Sequence, residues 1–340
     1  MTFGTVQYFS VPTFTTGIYR TWFGMGDRPA AAQLAGVSLI FIAVLIGLER
    51  FSRRQARYYQ SASQHQSLST YALGFWRGIL ASGFCALPIV LGLLLPAGLL
   101  LAMALGQWRQ VLGNDFLSLA NHSLILSGAT ALLGILLSLV LAYGARLQPG
   151  PVVLGGVQAA ALGYAIPGAV IAVGILMPVT ALDNSVASWL ETVWNRPVGL
   201  LLSGTPIALI FAYLVRFLAV SLNTVEAGLA KIRPSLDDAA RSLGHGPTAT
   251  LRQIHAPLLG GSLLTAAVLV FVDVMKELPA TMVMRPFNFD TLAVRVYQYA
   301  SDERLAEAAV PALAILVVGL LPVILLSWRI AQSRRRSDGV

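Results

Sequence analysis

Long apolar runs separated by short polar segments make up most of this chain. Seven runs, near residues 30–48, 79–105, 123–143, 152–178, 198–222, 258–278 and 308–328, are each long enough for an α-helix to cross a hydrocarbon core of about 30 Å. A β-barrel would instead show short alternating segments. The pattern predicts an all-α integral membrane protein with seven transmembrane helices. Pro88, Pro96, Pro167 and Pro178 lie within the runs and should kink or end their helices rather than abolish them.

Composition points the same way. The chain is 56% hydrophobic and 11% charged, with mean hydropathy +0.73, whereas soluble domains are about a quarter charged. Lys and Arg are retained on the cytoplasmic side of a membrane, and alternate polar segments here separate by charge. One set carries Arg50, Arg53, Arg54, Arg57, Arg77, Arg146, Lys231, Arg233, Arg241, Arg252, Arg329, Arg334, Arg335 and Arg336. The other carries half as many basic residues: Arg20, Arg28, Arg109, Arg196, Arg285, Arg295 and Arg304. The first set, with the C-terminus, is expected in the cytoplasm of a bacterial cell, the chain being multi-pass in the inner membrane. The net charge of +8 then reflects topology rather than nucleic-acid binding. The arginine-rich tail suits contact with anionic lipid, and Arg216 is expected to snorkel toward the cytoplasmic interface.

Residues 9–20 and 287–298 resemble one another at a constant offset, with Phe9 matching Phe287, Thr13 matching Thr291 and Tyr19 matching Tyr297. The offset carries into the next apolar runs, each followed by an arginine cluster. This reads as an internal repeat, the alternative being chance likeness of two outward loops. On the repeat reading, residues 1–57 are the remnant of a first unit, 58–76 a cytoplasmic linker, 77–330 a complete six-helix unit and 331–340 a basic tail. Such a chain is expected to be a truncated or late-started product.

The polar stretch before the sixth run is patterned as a helical hairpin. Pro234 and Ser235 open its first helix, with Ser235 expected as N-cap and Asp238 at the capping-box position. Leu236, Ala239, Ala240 and Leu243 fall on one face. Gly244 ends that helix, Gly246 and Pro247 start a second through Ile254, and Pro257 marks the junction with the membrane run. The residues allow two readings, a helix seated in a partner's groove or an amphipathic helix resting on headgroups.

The spacing Asp238-Ala239-Ala240, three residues, Gly244, nine residues, Ile254, two residues, Pro257 resembles the EAA loop of ABC importer permeases of the type I, MetI-like class. Asp238 stands where that pattern has Glu, and Ala256 where it has Leu. The loop spans residues 224–257. The resemblance implies docking of a separate ATPase subunit dimer on this loop, delivery of cargo by a periplasmic substrate-binding protein, and pairing with a second permease copy if one loop is all the chain provides. It implies no cofactor on this chain, since ATP would sit on the partner, and GxxxxGK[ST] is absent. Residues 276–281, 285–293 and 297–303 are similar to those of ferric-iron importer permeases, so ferric iron is the expected cargo. The chain is expected to be a transport subunit and not an enzyme.

Other chemistry is sparse. Asp273, Lys276 and Glu277 form a charged patch at the end of the sixth run, expected either as an outward gate meeting a hard cation or as a Lys–carboxylate pair closing the helix. Charges otherwise sit near run ends, which argues against an ion-gradient-driven secondary transporter. Cys85 reads as a small buried hydrophobe. His65, His122, His245 and His255 lack ligand spacing and read as ordinary polar residues. Asp183, Glu191, Trp189 and Trp194 are expected in an outward loop near 182–197, as binding-protein contacts or an aromatic belt.

Overall fold

The computed structural model describes residues 3–53, 71, 73–111, 113–195, 199 and 201–337. Among them every regular element is helical. In order these are α1 (Phe3–Tyr8), α2 (Phe14–Tyr19), α3 (Arg28–Arg53), α4 (Phe75–Ile89), α5 (Leu95–Val111), α6 (Asn114–Leu147), α7 (Pro151–Ala160) and α8 (Gly168–Trp194). They continue with α9 (Pro206–Leu229), α10 (Pro234–Ser242), α11 (Pro247–Thr250), α12 (Ala256–Leu258), α13 (Gly260–Met275), α14 (Pro279–Met284), α15 (Leu292–Ser301) and α16 (Leu305–Ser337). Among the described residues, six helical segments are long and apolar enough to span a membrane, and the bent pair of residues 247–258 and 260–275 makes a seventh. The molecule is a multi-pass membrane protein.

Helices α6, α9 and α13 pack against one another at its centre. Their contact surfaces hold small and hydroxyl residues: Ser138 of α6 meets Ser221 of α9 at 2.6 Å, and the Ser221 hydroxyl also reaches the Gly134 carbonyl at 3.3 Å. Where hydrocarbon surrounds a bundle, apolar surface gives helices no reason to prefer each other over lipid, so close backbone approach and internal hydrogen bonds carry the association. The buried Leu209, Tyr213, Leu126 and Val270 fill the space between. Helix α4, by contrast, buries none of its residues and presents Phe75, Trp76 and Phe84 outward. Cys85 lies on this exposed helix, so it is not the buried residue expected.

Two of the expected spans change. The run 152–178 is interrupted: α7 ends at Ala160, a single 3₁₀ turn covers Gly163–Ala165, and the spanning helix α8 starts only at Gly168, with Pro167 as N-cap. Proline pushes the residue before it out of the α region, and Ile166 is accordingly extended, which ends the 3₁₀ turn before α8. The run 198–222 becomes α9, displaced toward the C-terminus. Asp183, within α8 and buried, accepts hydrogen bonds from the backbone N–H groups of Leu201, Leu202 and Ser203 and from the Ser203 hydroxyl. This fixes residues 201–203 as a connection before α9. Residues 182–194 are therefore helix rather than loop, and Asp183 is not free to meet a partner; Trp189 and Trp194 are exposed. Pro88 behaves as expected, with a π-helical turn over Val90–Leu94 joining α4 to α5.

A third break follows α13. Its helix ends at Met275, and Lys276 to Leu278 lead into the short α14. The α7–α8 and α13–α14 breaks meet at the middle of α9. There Arg216, the eleventh residue of a 24-residue helix, bonds Glu277 at 2.8 Å. Gly168, at the start of α8, packs so tightly on this pair that a Cβ would overlap both the Arg216 guanidinium and the Glu277 carboxylate. Gly163 similarly abuts the Val215 carbonyl.

The segments paired by the sequence offset share local structure. Thr13 and Thr291 are the N-caps of α2 and α15, each accepting from the backbone three residues on. Ser10 and Asn288 both take positive φ, 54° and 58°. Tyr19 and Tyr297 face each other with ring centroids 6.4 Å apart, and Phe3 packs on both. The expected linker at 58–76 falls mostly outside the described residues, and the tail continues α16 to Ser337.

Gly168→Val should destabilise the detergent-solubilised protein by about 2–4 kcal/mol through overpacking. Gly174→Ala, further along α8 where a Cβ meets nothing within 4 Å, should be neutral or stabilising by up to about 1 kcal/mol. Thermal and urea unfolding of both variants check the pair.

Candidate docking hairpin and its anchor

Helix α9 delivers the chain into residues 230–233, and α10 begins with Pro234 at its first position after Arg233. Proline suits that position because its missing N–H would be unpaired there anyway. Ser235 is therefore already inside the first turn and is not the N-cap, and Asp238 does not close a capping box. Asp237 turns inward instead. Its carboxylate accepts from Arg146 Nε at 3.0 Å and Nη2 at 2.7 Å, and its other oxygen lies 2.6 Å from His255 Nε2.

Arg146 does more than pair with Asp237. It also donates to the carbonyls of Leu229, the last residue of α9, at 2.7 Å and of Ile232, just beyond it, at 3.0 Å. One guanidinium thus joins the end of α6, the end of α9 and the start of α10. One turn earlier on α6, the Tyr143 hydroxyl donates to the Pro247 carbonyl at 2.9 Å, and its ring lies 5.4 Å from that of His255. Both arms of the hairpin are therefore held by the same end of α6. Burial pushes the Asp237 carboxyl pKa up, but hydrogen bonds from Arg146 and His255, together with their charges, outweigh it and hold the group below its ordinary value.

The rest of the hairpin is turned outward. Asp238 is 70% exposed and pairs with Arg241 of its own helix at 2.7 Å, a contact of small energetic value. Ala240 is buried, whereas Leu236, Ala239 and Leu243 are exposed, Leu243 at 79%. The apolar face expected on α10 thus divides, with Ala240 facing the protein and the other three left without intramolecular cover. Gly244 has φ +82°, the left-handed conformation that ends a helix. The N–H of Gly244 bonds the Arg241 carbonyl at 3.0 Å, and that of His245 bonds Ala240 at 3.0 Å. The second arm is a continuous helical run with a π-helical turn inside it: α11 passes into Leu251–His255, then α12, with Ile254 half-buried and Pro257 exposed. That turn carries His255 inward, where it is fully buried. The arm then meets α13 at a 75° bend.

Asp238, Ala239, Ala240, Gly244, Ile254 and Pro257 therefore lie on one compact hairpin, but what anchors it is Asp237, Arg146, His255 and Tyr143. Sequence reasoning singled out none of these as a site. Asp237 and Asp238 are equivalent on paper, and only the 91-residue separation from Arg146, closed by folding, tells them apart. His255 is not the ordinary polar residue expected, although its place amid Leu251, Ile254 and Leu258 offered a hint. His122 also has a defined role, stacked at 3.9 Å on Phe289 with Nδ1 3.1 Å from the Asp290 carbonyl. His65 lies outside the described residues.

The second expected site divides likewise. Lys276 pairs with Asp273 at 2.9 Å, whereas Glu277, 6% exposed, pairs with Arg216. Arg216 does not snorkel to an interface, and charges are not confined to span ends. These residues line a cavity of about 710 Å³ together with Phe3, Tyr164 and Tyr297. Among the described residues no group of three His, Cys, Asp or Glu side chains is placed to hold a metal ion.

No protein-family model matches the chain. It is 26% identical over 328 residues to the Fe(3+)-transport system permease protein FbpB 2 of Haemophilus influenzae, covering 95% of this chain and 62% of that protein. Over 120 residues it is 30% identical to the putative 2-aminoethylphosphonate transport system permease protein PhnV of Salmonella typhimurium, covering 35% of this chain and 45% of that one. The chain thus spans less than two thirds of the length of these relatives. In structure it resembles a chain of a bacterial ABC transporter involved in the import of the acidic polysaccharide alginate, with TM-score 0.57 and 16% identity over 76% of this chain and 96% of that one. The fold is that of an ABC transporter's membrane chain, and the sequence relatives are transport permeases, as the hairpin spacing implied.

Asp237→Asn should lower stability by about 1–3 kcal/mol at neutral pH. Because the folded-state pKa of Asp237 is depressed, its contribution is present above the unfolded carboxylate value of about 4 and is lost as pH falls through the folded value. The gap between parent and variant should therefore close in strong acid, as read by unfolding across pH.

Proposed function

We propose that this chain, a relative of ferric-transport permeases with the fold of an ABC transporter's membrane chain, is an importer permease for ferric iron. A separate ATPase would dock on the hairpin and a periplasmic binding protein would deliver the cargo. The observation that carries this reading is the hairpin itself. Asp237 and Ala240 fix it to the bundle, while Leu236, Ala239 and Leu243 stand exposed beside them. An amphipathic helix with small side chains and an uncovered apolar face fits a groove on another protein. The excess of basic residues around the hairpin supports a cytoplasmic position for it and for the C-terminus, in the inner membrane of a bacterium. Residues 3–53 and 281–331 are read as equivalent parts of two permease units. Two such units would ordinarily offer two hairpins, so a second copy of the chain is a natural partner.

Hydrolysis is assigned to the partner, because the phosphate-cradling motif is absent from the sequence. The ferric assignment rests on relatives that differ among themselves, one concerned with Fe(3+) and another with 2-aminoethylphosphonate. A second reading, an ion-gradient-driven transporter, draws support from the mid-helix pair Arg216–Glu277 and from the interrupted helices around it.

Uptake of ferric iron into proteoliposomes separates the two. Transport should require the ATPase and ATP, and accumulation by the chain alone under an ion gradient would favour the second reading. Gly244→Val, which forces a β-branched residue to φ +82°, should leave membrane insertion intact, keep ATP hydrolysis and lower uptake by roughly tenfold or more. Normal uptake in that variant would count against docking through the hairpin.

A further inference from the structure

We propose that Arg216 and Glu277 form a charge latch that closes the translocation path at mid-membrane and, when parted, admits cations. The path itself rests on the import reading above. The latch rests on where the pair sits. Arg216 is midway along α9, and Glu277 lies in the non-helical break between α13 and α14. The start of α8, itself the resumption of a broken helix, closes against both through Gly168. Three membrane elements thus converge on one ion pair, and two of them are interrupted there. An interrupted helix exposes backbone groups that hydrocarbon does not satisfy, so such breaks are tolerated where they line a cavity or are buried in protein. Here they do both, since the pair lines the cavity of about 710 Å³.

The pair is poorly explained as a device for stability. A buried ion pair returns little over an apolar replacement because desolvation offsets attraction, whereas removing one partner strands the other charge. That asymmetry suits a switch. In the closed state Glu277 accepts from Arg216 at 2.8 Å and from the Ala280 N–H at 3.2 Å, so the backbone of α14 is tied to α9 through one carboxylate. The next residue of α14, Thr281, bonds both the Glu277 carbonyl and Tyr213 of α9, at 2.7 and 2.6 Å. Arg216 has an alternative resting place, its guanidinium already lying 5.3 Å from the centre of the Phe217 ring. Once it withdraws, Glu277 faces the cavity with Asp273 one turn before it on α13, whose own partner Lys276 is 62% exposed. A path bordered by carboxylates whose cations can be displaced selects positive cargo.

The test uses the purified chain alone in liposomes, loaded either with calcein to report cobalt(II) entry or with an iodide-sensitive dye. The parent should be tight to both ions. Arg216→Gln, which bares Glu277, should raise cobalt(II) entry by roughly tenfold or more without comparable iodide entry, and Glu277→Gln, which bares Arg216, should do the reverse. The exchanged pair, Arg216→Glu with Glu277→Arg, should be tight again, and Arg216→Lys should remain tight and guard against misfolding. Single variants as tight as the parent would overturn the latch. Equal passage of both ions by both variants would also overturn it, by showing only a packing defect. Should the leak pattern hold while ATP-driven uptake fails, the importer reading falls and the latch stands.

Discussion

A charge placed in an apolar helical bundle must find its partner inside the protein, because surrounding hydrocarbon offers none. Arg216 meets that requirement inside the bundle, and Arg146 meets a related one at the bundle's end, where burial is only partial. Arg146, at the end of α6, takes Asp237 and two backbone carbonyls. Arg216, halfway along α9, takes Glu277. Each joins elements far apart in sequence at a place where a helix has ended or broken. At the first, the chain leaves the bundle to form the hairpin; at the second, two membrane helices are interrupted. The irregular backbone and the buried charges occur together because each satisfies what the other leaves unpaired.

The hairpin illustrates a division of labour within a single short helix. Asp237 and Ala240 face the bundle, while Asp238, Ala239 and Leu243 face away. With α6 gripping one arm through Arg146 and the other through Tyr143, the hairpin is attached to the bundle by more than its two chain connections. A push on its outer face would be delivered to α6 and α9 together, since the same guanidinium bonds both the hairpin and the end of α9.

The N-terminal helices belong to the same body. Ile18, Ala31 and Ala35 are buried within the principal core, and Phe3 and Tyr19 pack on Tyr297. The aromatic contact thus joins two positions matched by the sequence offset, Tyr19 and Tyr297. The shared N-capping threonines and the shared positive φ at Ser10 and Asn288 extend the likeness to the backbone.

The sequence by itself determined what depends on local pattern. Apolar runs marked the membrane helices, Pro88 and Pro167 marked two of the irregular places within them whereas Pro178 lies inside the unbroken α8, and the spacing from Asp238 to Pro257 marked the hairpin and its resemblance. Tertiary structure decided the pairings. Nothing local distinguishes Asp237 from Asp238, assigns Glu277 to Arg216 rather than to the adjacent Lys276, or makes His255 a buried partner instead of a polar bystander. Nor does hydropathy show that the run 152–178 ends its first helix at Ala160, because both pieces are equally apolar. An ion pair depends on which side chains folding brings within about 3 Å, and residues 61 and 91 positions apart acquire that proximity only when the helices pack.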